Sequence, residues 1–207
     1  MSDAAAQVAV AHPLTAEDRG RSEFYALLAR LYADGPDQPL LRAIAGADRI
    51  ESDAPLATTW NRLIEASGVM DADAAAQEYT DLFIGVGRAE VNLHASHWLA
   101  GAMNEKPLAE LRTVLAGLGL ARRADVSMLE DHLSAVLETM RVLIAGQPGR
   151  APSPIGTQKL FFHRHIGRWA FSCCDAIRES PIANYYVRVA EFTGKYLALD
   201  RDALAME

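Results

Sequence analysis

The stretch EYTDLFIGVGRAEVNLHASHWL, residues 78–99, holds side chains that could do chemistry. His94 and His97 stand three residues apart, and Trp98 follows directly. A second cluster lies at residues 130–132, where glutamate, aspartate and histidine are consecutive. Imidazole and carboxylate groups arranged in this way serve as metal ligands, as acids and bases in catalysis, or as hydrogen-bonding groups for a bound peptide.

A metal site needs more ligands than these histidines supply. His94 and His97 can place two imidazoles on one helical face, with Glu90 or Asp131 as an oxygen donor. The H-E-x-x-H motif of helical zinc enzymes is absent, and none of the six histidines has a glutamate three residues before it, as a di-iron bundle requires. Polar loop and cap histidines are the simpler interpretation. A metal-dependent helical enzyme that uses His94, His97 and Asp131 remains the alternative.

Nucleophilic and phosphate-binding motifs are equally weak. Ser96 lies beside both histidines, but no G-x-S-x-G elbow is present. Cys173 and Cys174 fall on an apolar helical stripe, where cysteine usually acts as a small buried hydrophobe. The glycines of GVGR lack the lysine and the strand–turn–helix context of a phosphate loop. The sequence therefore predicts no catalytic residue, no bound metal and no cofactor.

The acidic cluster has a structural and a functional interpretation. Glu130 completes an S-x-x-E capping box with Ser127, which predicts a helix start there, with Asp131 in its first turn and His132 on its apolar stripe. If this start faces the loop at residues 85–98, the two form a partly apolar groove with an acidic end. Such a groove suits a peptide that carries arginine beside apolar residues.

Composition limits the class of protein. The net charge of −7 argues against nucleic-acid binding, which needs clustered lysine and arginine. No window approaches a membrane span, and no secretory signal is recognisable at the start, so we expect no membrane insertion. The two cysteines are adjacent and cannot form a disulfide framework. These features favour a cytoplasmic protein.

The elements that must position these residues are helical. Apolar residues recur at helical spacing almost throughout, and strict alternation is nearly absent, which predicts an all-α fold of about eight to ten helices. Thr15 with Asp18, and Asp71 or Asp73, are typical helix starts. We expect residues 1–14 to be a disordered tail and residues 15–207 to form a single domain. The segment GQPGRAPSPIGT, residues 146–157, must be a loop or hinge.

Four short motifs occur in a characteristic order. They are E-Y-x-x-L-F-x-G-x-G at 78–87, a serine followed by an aromatic residue at 96–98, E-D-H at 130–132 and F-x-x-H-I-x-x-W at 162–169. Together, over roughly residues 20–200, they resemble the TorD/DmsD/NarJ family of cytoplasmic molybdoenzyme chaperones.

The resemblance implies an all-α fold, domain-swapped dimers in some members, and no enzymatic activity. Its members bind the twin-arginine signal peptide and the apoprotein of a molybdenum or tungsten oxidoreductase, and they delay export until the pterin cofactor is inserted. Residues 85–101 and the closing LDRDALAME look most like members that accompany formate dehydrogenase. The implied partners are therefore an apo-molybdoenzyme catalytic subunit, its signal peptide and, as in some members, a second copy of the chain.

The resemblance places the family's groove on particular residues. Its Asp-His pair falls on Asp131 and His132, and the glycine-containing loop would be a mobile wall. The full predicted binding site is Leu82, Phe83, Gly85, Gly87, His94, Ser96, His97, Trp98, Glu130, Asp131 and His132. Many relatives carry glycine–proline–glycine in the loop, where Val86 stands here, and a proline–aromatic pair before the serine, where Leu93 and His94 stand. Some relatives carry a proline two residues before the Asp-His pair, where Leu129 stands. A purely structural helical adaptor, in which the Asp-His pair is only a helix cap, is the other alternative.

Overall fold

The computed structural model describes residues 14–103 and 105–207. Over these residues the chain forms ten α-helices and two short π-helical turns, and no strand. The expected all-α fold is confirmed. The tail predicted for residues 1–14 lies, apart from Leu14, outside the described residues. The elements are α1 Ala16–Ala33, α2 Gln38–Ala45, α3 Pro55–Val69, α4 Ala72–Tyr79, π1 Thr80–Ile84, α5 Ala95–Ala100, α6 Lys106–Gly117, α7 Leu133–Ala145, α8 Ile155–Phe161, π2 Phe162–Ile166, α9 Ala170–Glu179 and α10 Tyr185–Met206.

The core is built around two helix contacts. Helix α1 packs along α7, and α10 packs against α3 and α9. Aromatic side chains fill the space between α1, α3 and α10: the ring centroid of Phe24 lies 5.3 Å from those of Trp60, Phe192 and Tyr196. Burying rings of this size supplies much of the apolar driving force for folding, and the tilted arrangement suits their quadrupoles.

Helix starts that depend on local chemistry agree with the sequence. Thr15 Oγ1 accepts a hydrogen bond from the backbone N–H of Asp18, and Asp71 caps α4 in the same way. Helix α2 was not anticipated. It begins inside the segment GPDQP, where Asp37 accepts from the backbone N–H of Leu40 and Pro39 occupies the first turn, a position that tolerates proline.

The helix predicted to start at Ser127 starts instead at Leu133, so the capping-box prediction is wrong. The N-cap is His132, whose Nδ1 accepts from the backbone N–H of Ser134 at 3.2 Å. The backbone at Asp131 cannot join the helix because its carbonyl accepts from the N–H of Ala95 at 2.9 Å. A tertiary contact has therefore replaced the local one.

Residues 146–154 of the proline-rich segment form a loop, as expected, whereas residues 155–157 already belong to α8. The loop is tied to α7. The N–H of Ser153 donates to the carbonyl of Leu143 at 2.8 Å, and the side-chain amide of Gln158 donates to the carbonyl of Ser153 at 3.0 Å. Its role as a hinge stays a prediction.

Among the described helices none is both long and apolar enough to cross a bilayer.

Candidate functional site

The first motif begins with a buried glutamate that caps the start of α10. Glu78 Oε1 accepts from the backbone N–H groups of Asn184 at 2.8 Å and Tyr186 at 2.9 Å, and Oε2 accepts from that of Tyr185 at 3.0 Å. The first N–H groups of a helix have no partner within the helix, and their partial positive charge favours a carboxylate. Glu78 therefore joins α4 to α10.

The next residues of this motif also serve the core. The hydroxyl of Tyr79 donates to the carbonyls of Tyr32 and Ala33 at 3.2 and 3.1 Å, which satisfies the end of α1. The ring of Phe83 packs edge-on against Tyr186, with the centroids 4.9 Å apart, and Leu82 is fully buried. This part of the motif fixes the helices that precede the loop.

A glycine turns the chain sharply after π1. Gly85 has φ +63°, and a Cβ at this position would lie 2.2 Å from the carbonyl oxygen of Arg88. Such a separation is far below van der Waals contact, so only glycine fits the turn. The turn leaves Ile84 and Val86 exposed, and Gly87 also faces solvent.

The loop then meets the residues that precede α7. The N–H of Leu133 donates to the carbonyl of Leu93 at 2.7 Å, and that of Ala95 donates to the carbonyl of Asp131 at 2.9 Å. His94 and His132 lie opposite each other in this short antiparallel pairing. We call residues 93–96 and 131–133 together the junction. The loop and the start of α7 therefore meet here, which is the condition for a groove between them.

Asp131 is the centre of the junction and is fully buried. Its Oδ2 accepts from both the backbone N–H of Ser96 at 2.9 Å and the hydroxyl of Ser96 at 2.5 Å, which caps the start of α5. Its Oδ1 has no hydrogen-bond partner among the described residues. Ser96 is also fully buried, so neither side chain reaches a ligand at the surface in this conformation.

The two facing histidines are held in their neutral forms. Burial, followed by the neighbouring His94, lowers the pKa of His132 to about 3. Burial also lowers the pKa of His94, although the negative charge of Asp131 opposes this shift. The two rings stand nearly perpendicular with centroids 4.8 Å apart. Because His132 Nδ1 accepts from the N–H of Ser134, its proton is on Nε2.

His97 and Trp98 form a partly exposed face on α5. Their rings are perpendicular at a centroid distance of 5.6 Å, and the indole N–H of Trp98 donates to the carbonyl of Asn92 at 2.7 Å. This bond anchors the ring to the loop while part of it stays accessible. His94, His97 and Trp98 are therefore within reach of a partner, whereas Leu82, Ser96, Asp131 and His132 support the shape from below.

The geometry does not resemble a catalytic or metal centre. Within residues 14–103 and 105–207, no group of three or more histidine, cysteine, aspartate or glutamate side chains is placed to hold a metal ion. The hydroxyl of Ser96 donates to a carboxylate and not to an imidazole, so no histidine is positioned to activate it as a nucleophile.

Glu130 lies beside the junction but its charge is already paired. Its Oε2 accepts from Arg112 at 2.9 Å, and Arg122 lies 3.5 Å from Oε1. Partial burial opposes ionisation, but the hydrogen bond from Arg112 and the charges of both arginines prevail and lower the pKa of Glu130. Glu130 is therefore ionised and clamped by two arginines of its own chain.

A large cavity opens along α7 next to the junction. Its volume is 640 Å³, and it lies between α7 and the segment at residues 119–128, with Ala33 at the end of α1. We call it the α7 groove. It is lined by Ala33, Leu115, Gly119, Leu120, Ala121, Arg122, Arg123, Val126, Met128, Glu130, Ser134, Ala135, Glu138, Thr139, Val142 and Gln147. Of the predicted binding residues, Glu130 is in this lining, and the rest of the groove was not anticipated.

The sequence did carry a weak signal for this groove. The segment at residues 119–128 is polar and glycine-containing, yet it includes Leu120, Val126 and Met128. Val126 is exposed. Apolar side chains in a polar connecting segment are candidates for contact with a partner.

Two comparisons relate this chain to known proteins. Residues 51–175 match the family model described as nitrate reductase delta subunit. Among solved structures, the chain is similar to a crystal structure from Archaeoglobus fulgidus assigned as a redox enzyme maturation protein, with a TM-score of 0.59 and 18% sequence identity. The similarity covers 90% of this chain and 97% of that one. At this identity the likeness concerns the fold alone. No curated protein matches the sequence.

Proposed function

The chain belongs to the nitrate reductase delta subunit family, the redox-enzyme maturation chaperones that its motifs indicated, and we propose that it holds an apo-molybdoenzyme before export from the cytoplasm. Its client would be the catalytic subunit of a molybdenum or tungsten oxidoreductase. The resemblance of residues 85–101 favours formate dehydrogenase. The bound part would be the twin-arginine signal peptide, the mature apoprotein or both.

The observation that carries this proposal is the α7 groove, which is large, mostly apolar and ends beside the junction. The lining residues on α7 run from Ser134 to Val142, which is about 12 Å at the usual helical rise. An extended peptide of about four residues spans that distance. Apolar residues that follow a pair of arginines in a leader could be buried there, and burial would provide most of the binding energy.

Recognition of a client arginine would involve an exchange at Glu130. Arg122 lies 3.5 Å from this carboxylate, whereas Arg112 donates a hydrogen bond to it at 2.9 Å, so Arg122 forms the weaker of the two ion pairs. A client guanidinium could replace it without leaving a buried charge unpaired, because Arg112 stays in place. The second acidic residue of the groove, Glu138, pairs with Arg141 at 2.7 Å and offers a similar exchange.

The remaining residues of the predicted binding site would have two different roles. Phe83, Gly87, His94, His97 and Trp98 have accessible surface and would contact the client. The buried residues would hold the loop against α7, so Asp131 would be a positioning residue. This division refines the binding site proposed from the sequence.

The test is direct binding of a labelled leader peptide from the formate dehydrogenase catalytic subunit, measured by fluorescence anisotropy. Glu130→Gln should weaken binding by about tenfold, since a charge-assisted hydrogen bond is lost. Ala135→Trp, which fills the groove from α7, should weaken it further. Glu191→Gln is the matched control, because it removes a carboxylate from an ion pair on α10, away from the groove.

Each outcome separates two possibilities. Wild-type affinity in both groove variants would show that the leader does not use the α7 groove. A leader that fails to bind the wild-type chain, combined with co-purification of the apo-subunit lacking its leader, would place the contact on the mature part of the client.

A further inference from the structure

A second cluster of charge lies on π2 and the turn after it. His163, Arg164, His165 and Arg168 fall within six residues of a chain whose net charge is −7. About half of the exposed arginines of this protein pair with a carboxylate. In the described part of the chain, neither Arg164 nor Arg168 forms an ion pair. Both guanidinium groups are therefore free to bind an anion.

These residues line one wall of a groove. The opposite wall is α6, which contributes Glu110, Thr113 and Val114, and the volume is 430 Å³. The floor continues into a crevice against α5, with a volume of about 10 Å³, comparable to a single water site. The groove is within the size range of small-molecule sites. It shares no lining residue with the α7 groove.

One ring nitrogen of His165 also lacks a hydrogen-bond partner among the described residues. Its Nε2 atom is buried without a hydrogen bond to any described residue, while the ring packs on Phe161 with the centroids 5.1 Å apart. Buried polar atoms in native proteins are nearly always paired, so this nitrogen is available to a partner that enters the groove. The backbone that carries it is a π-helical turn, a geometry that is frequent at functional sites.

We propose that this groove binds the phosphate or diphosphate group of a small molecule, through Arg164, Arg168 and the Nε2–H of His165. The two guanidinium groups provide planar pairs of N–H donors that match the oxygens of a phosphate, and His165 provides a third direction. Val114 and the apolar floor would contact the rest of the molecule. This site is independent of client binding and does not rest on the proposed function.

The charge distribution favours a compact phosphate over an acidic protein segment. Glu110 lies in the same groove, yet its ion pair is with Lys106 at 3.5 Å and not with either arginine. An acidic peptide would lay further carboxylates along α6 beside Glu110, where like charges repel. A diphosphate is more compact and could contact the wall formed by Arg164 and Arg168 without extending along α6.

Calorimetric titration of the full chain with sodium diphosphate tests the proposal. Binding should weaken by about tenfold in Arg164→Gln and in Arg168→Gln, which each remove a charge-assisted contact. Arg178→Gln is the matched control: it removes an exposed arginine that already pairs with Asp175 on α9, and it should leave the affinity unchanged. Circular dichroism checks that each variant is folded.

Nuclear magnetic resonance of the His165 imidazole supplies a second readout. Burial and then the charge of Arg164 lower its pKa in the free protein. A bound diphosphate should raise that pKa and shift the resonance. Equal diphosphate affinity in the wild type and in the Arg164→Gln/Arg168→Gln variant would overturn the proposal, as would an equal loss in the Arg178 control. An oligo-glutamate peptide that binds the same arginines more tightly than diphosphate would identify an acidic protein segment instead.

Discussion

Replacing Glu78 by alanine should destabilise the protein strongly without acting on a binding surface. The carboxylate accepts three backbone N–H groups at the start of α10, the longest helix of the fold. Removing it leaves these donors with at most partial access to water, since Glu78 is only 9% exposed. At about 1 kcal/mol for each lost hydrogen bond, the expected loss is about 3 kcal/mol.

The size of the thermal shift follows from chain length. With an unfolding entropy of about 2.1 cal/mol/K per residue, 207 residues give about 0.43 kcal/mol/K, so 3 kcal/mol corresponds to about 7 °C. Glu78→Gln keeps one acceptor oxygen and should lose about half as much stability. The control is Glu65→Ala, whose exposed ion pair with Arg49 should contribute about 0.5 kcal/mol or less.

Urea unfolding followed by circular dichroism measures these free energies, and leader binding is then measured at a temperature where every variant is folded. A Glu78→Ala protein as stable as the wild type would refute the capping role. A folded Glu78→Ala protein that has lost leader binding would show that this residue contacts the client, contrary to the geometry.

Three further predictions concern the turn at Gly85, the contact between Asp131 and Ser96, and the titration of His132. Gly85→Ala should lower the free energy of unfolding by more than about 2 kcal/mol, because the new Cβ meets a carbonyl oxygen. Gly87→Ala has open space around it and should lose about 1 kcal/mol for its positive φ alone. Urea unfolding of both variants distinguishes the two effects. Asp131→Ala should lose about 2–4 kcal/mol, and a double-mutant cycle with Ser96→Ala should give a coupling above about 1 kcal/mol; additive losses would exclude their hydrogen bonds as the cause. Because the folded-state pKa of His132 lies below its unfolded value, the unfolded chain binds more protons between about pH 6.5 and 3, so stability should fall with decreasing pH by about 1.4 kcal/mol per unit over that window. His132→Asn, which can still cap α7, should lack this contribution, and identical pH profiles in urea unfolding would contradict it.

Local chemistry is what the sequence revealed well. The caps at Thr15 and Asp71 depend on residues three positions apart, so they could be recognised without knowing the fold. The all-α class was predictable for the same reason, since helical periodicity is read over short windows. The sequence after the loop predicts a short helix from Ser96 to Met103, and the structure has it over Ala95–Ala100. Its end is set by Gly101, which has φ +78°.

Features that depend on distant residues could not be predicted in this way. The capping box of Ser127 and Glu130 has the correct spacing, but Glu130 is engaged by two arginines and Asp131 pairs with the start of α5. Ser180 followed by Pro181 predicts a helix start at that point, but α10 starts at Tyr185, because its cap comes from Glu78, more than 100 residues earlier in the chain. A local capping signal does not set the start of a helix when a tertiary partner satisfies the same backbone groups more completely.

Asp131 and Glu130 differ in whether a client arginine can reach them. Asp131 is fully buried and bound to Ser96, so a client arginine could reach it only if the pairing between the loop and the start of α7 opened. Glu130 needs no such opening, because both of its arginines are exposed and the longer of the two contacts, to Arg122, can be exchanged. Binding through Glu130 should therefore leave the protection of the Ala95 and Leu133 amides from hydrogen exchange unchanged. Faster exchange at these amides when the leader binds would instead mean that the junction opens and that Asp131 takes part directly.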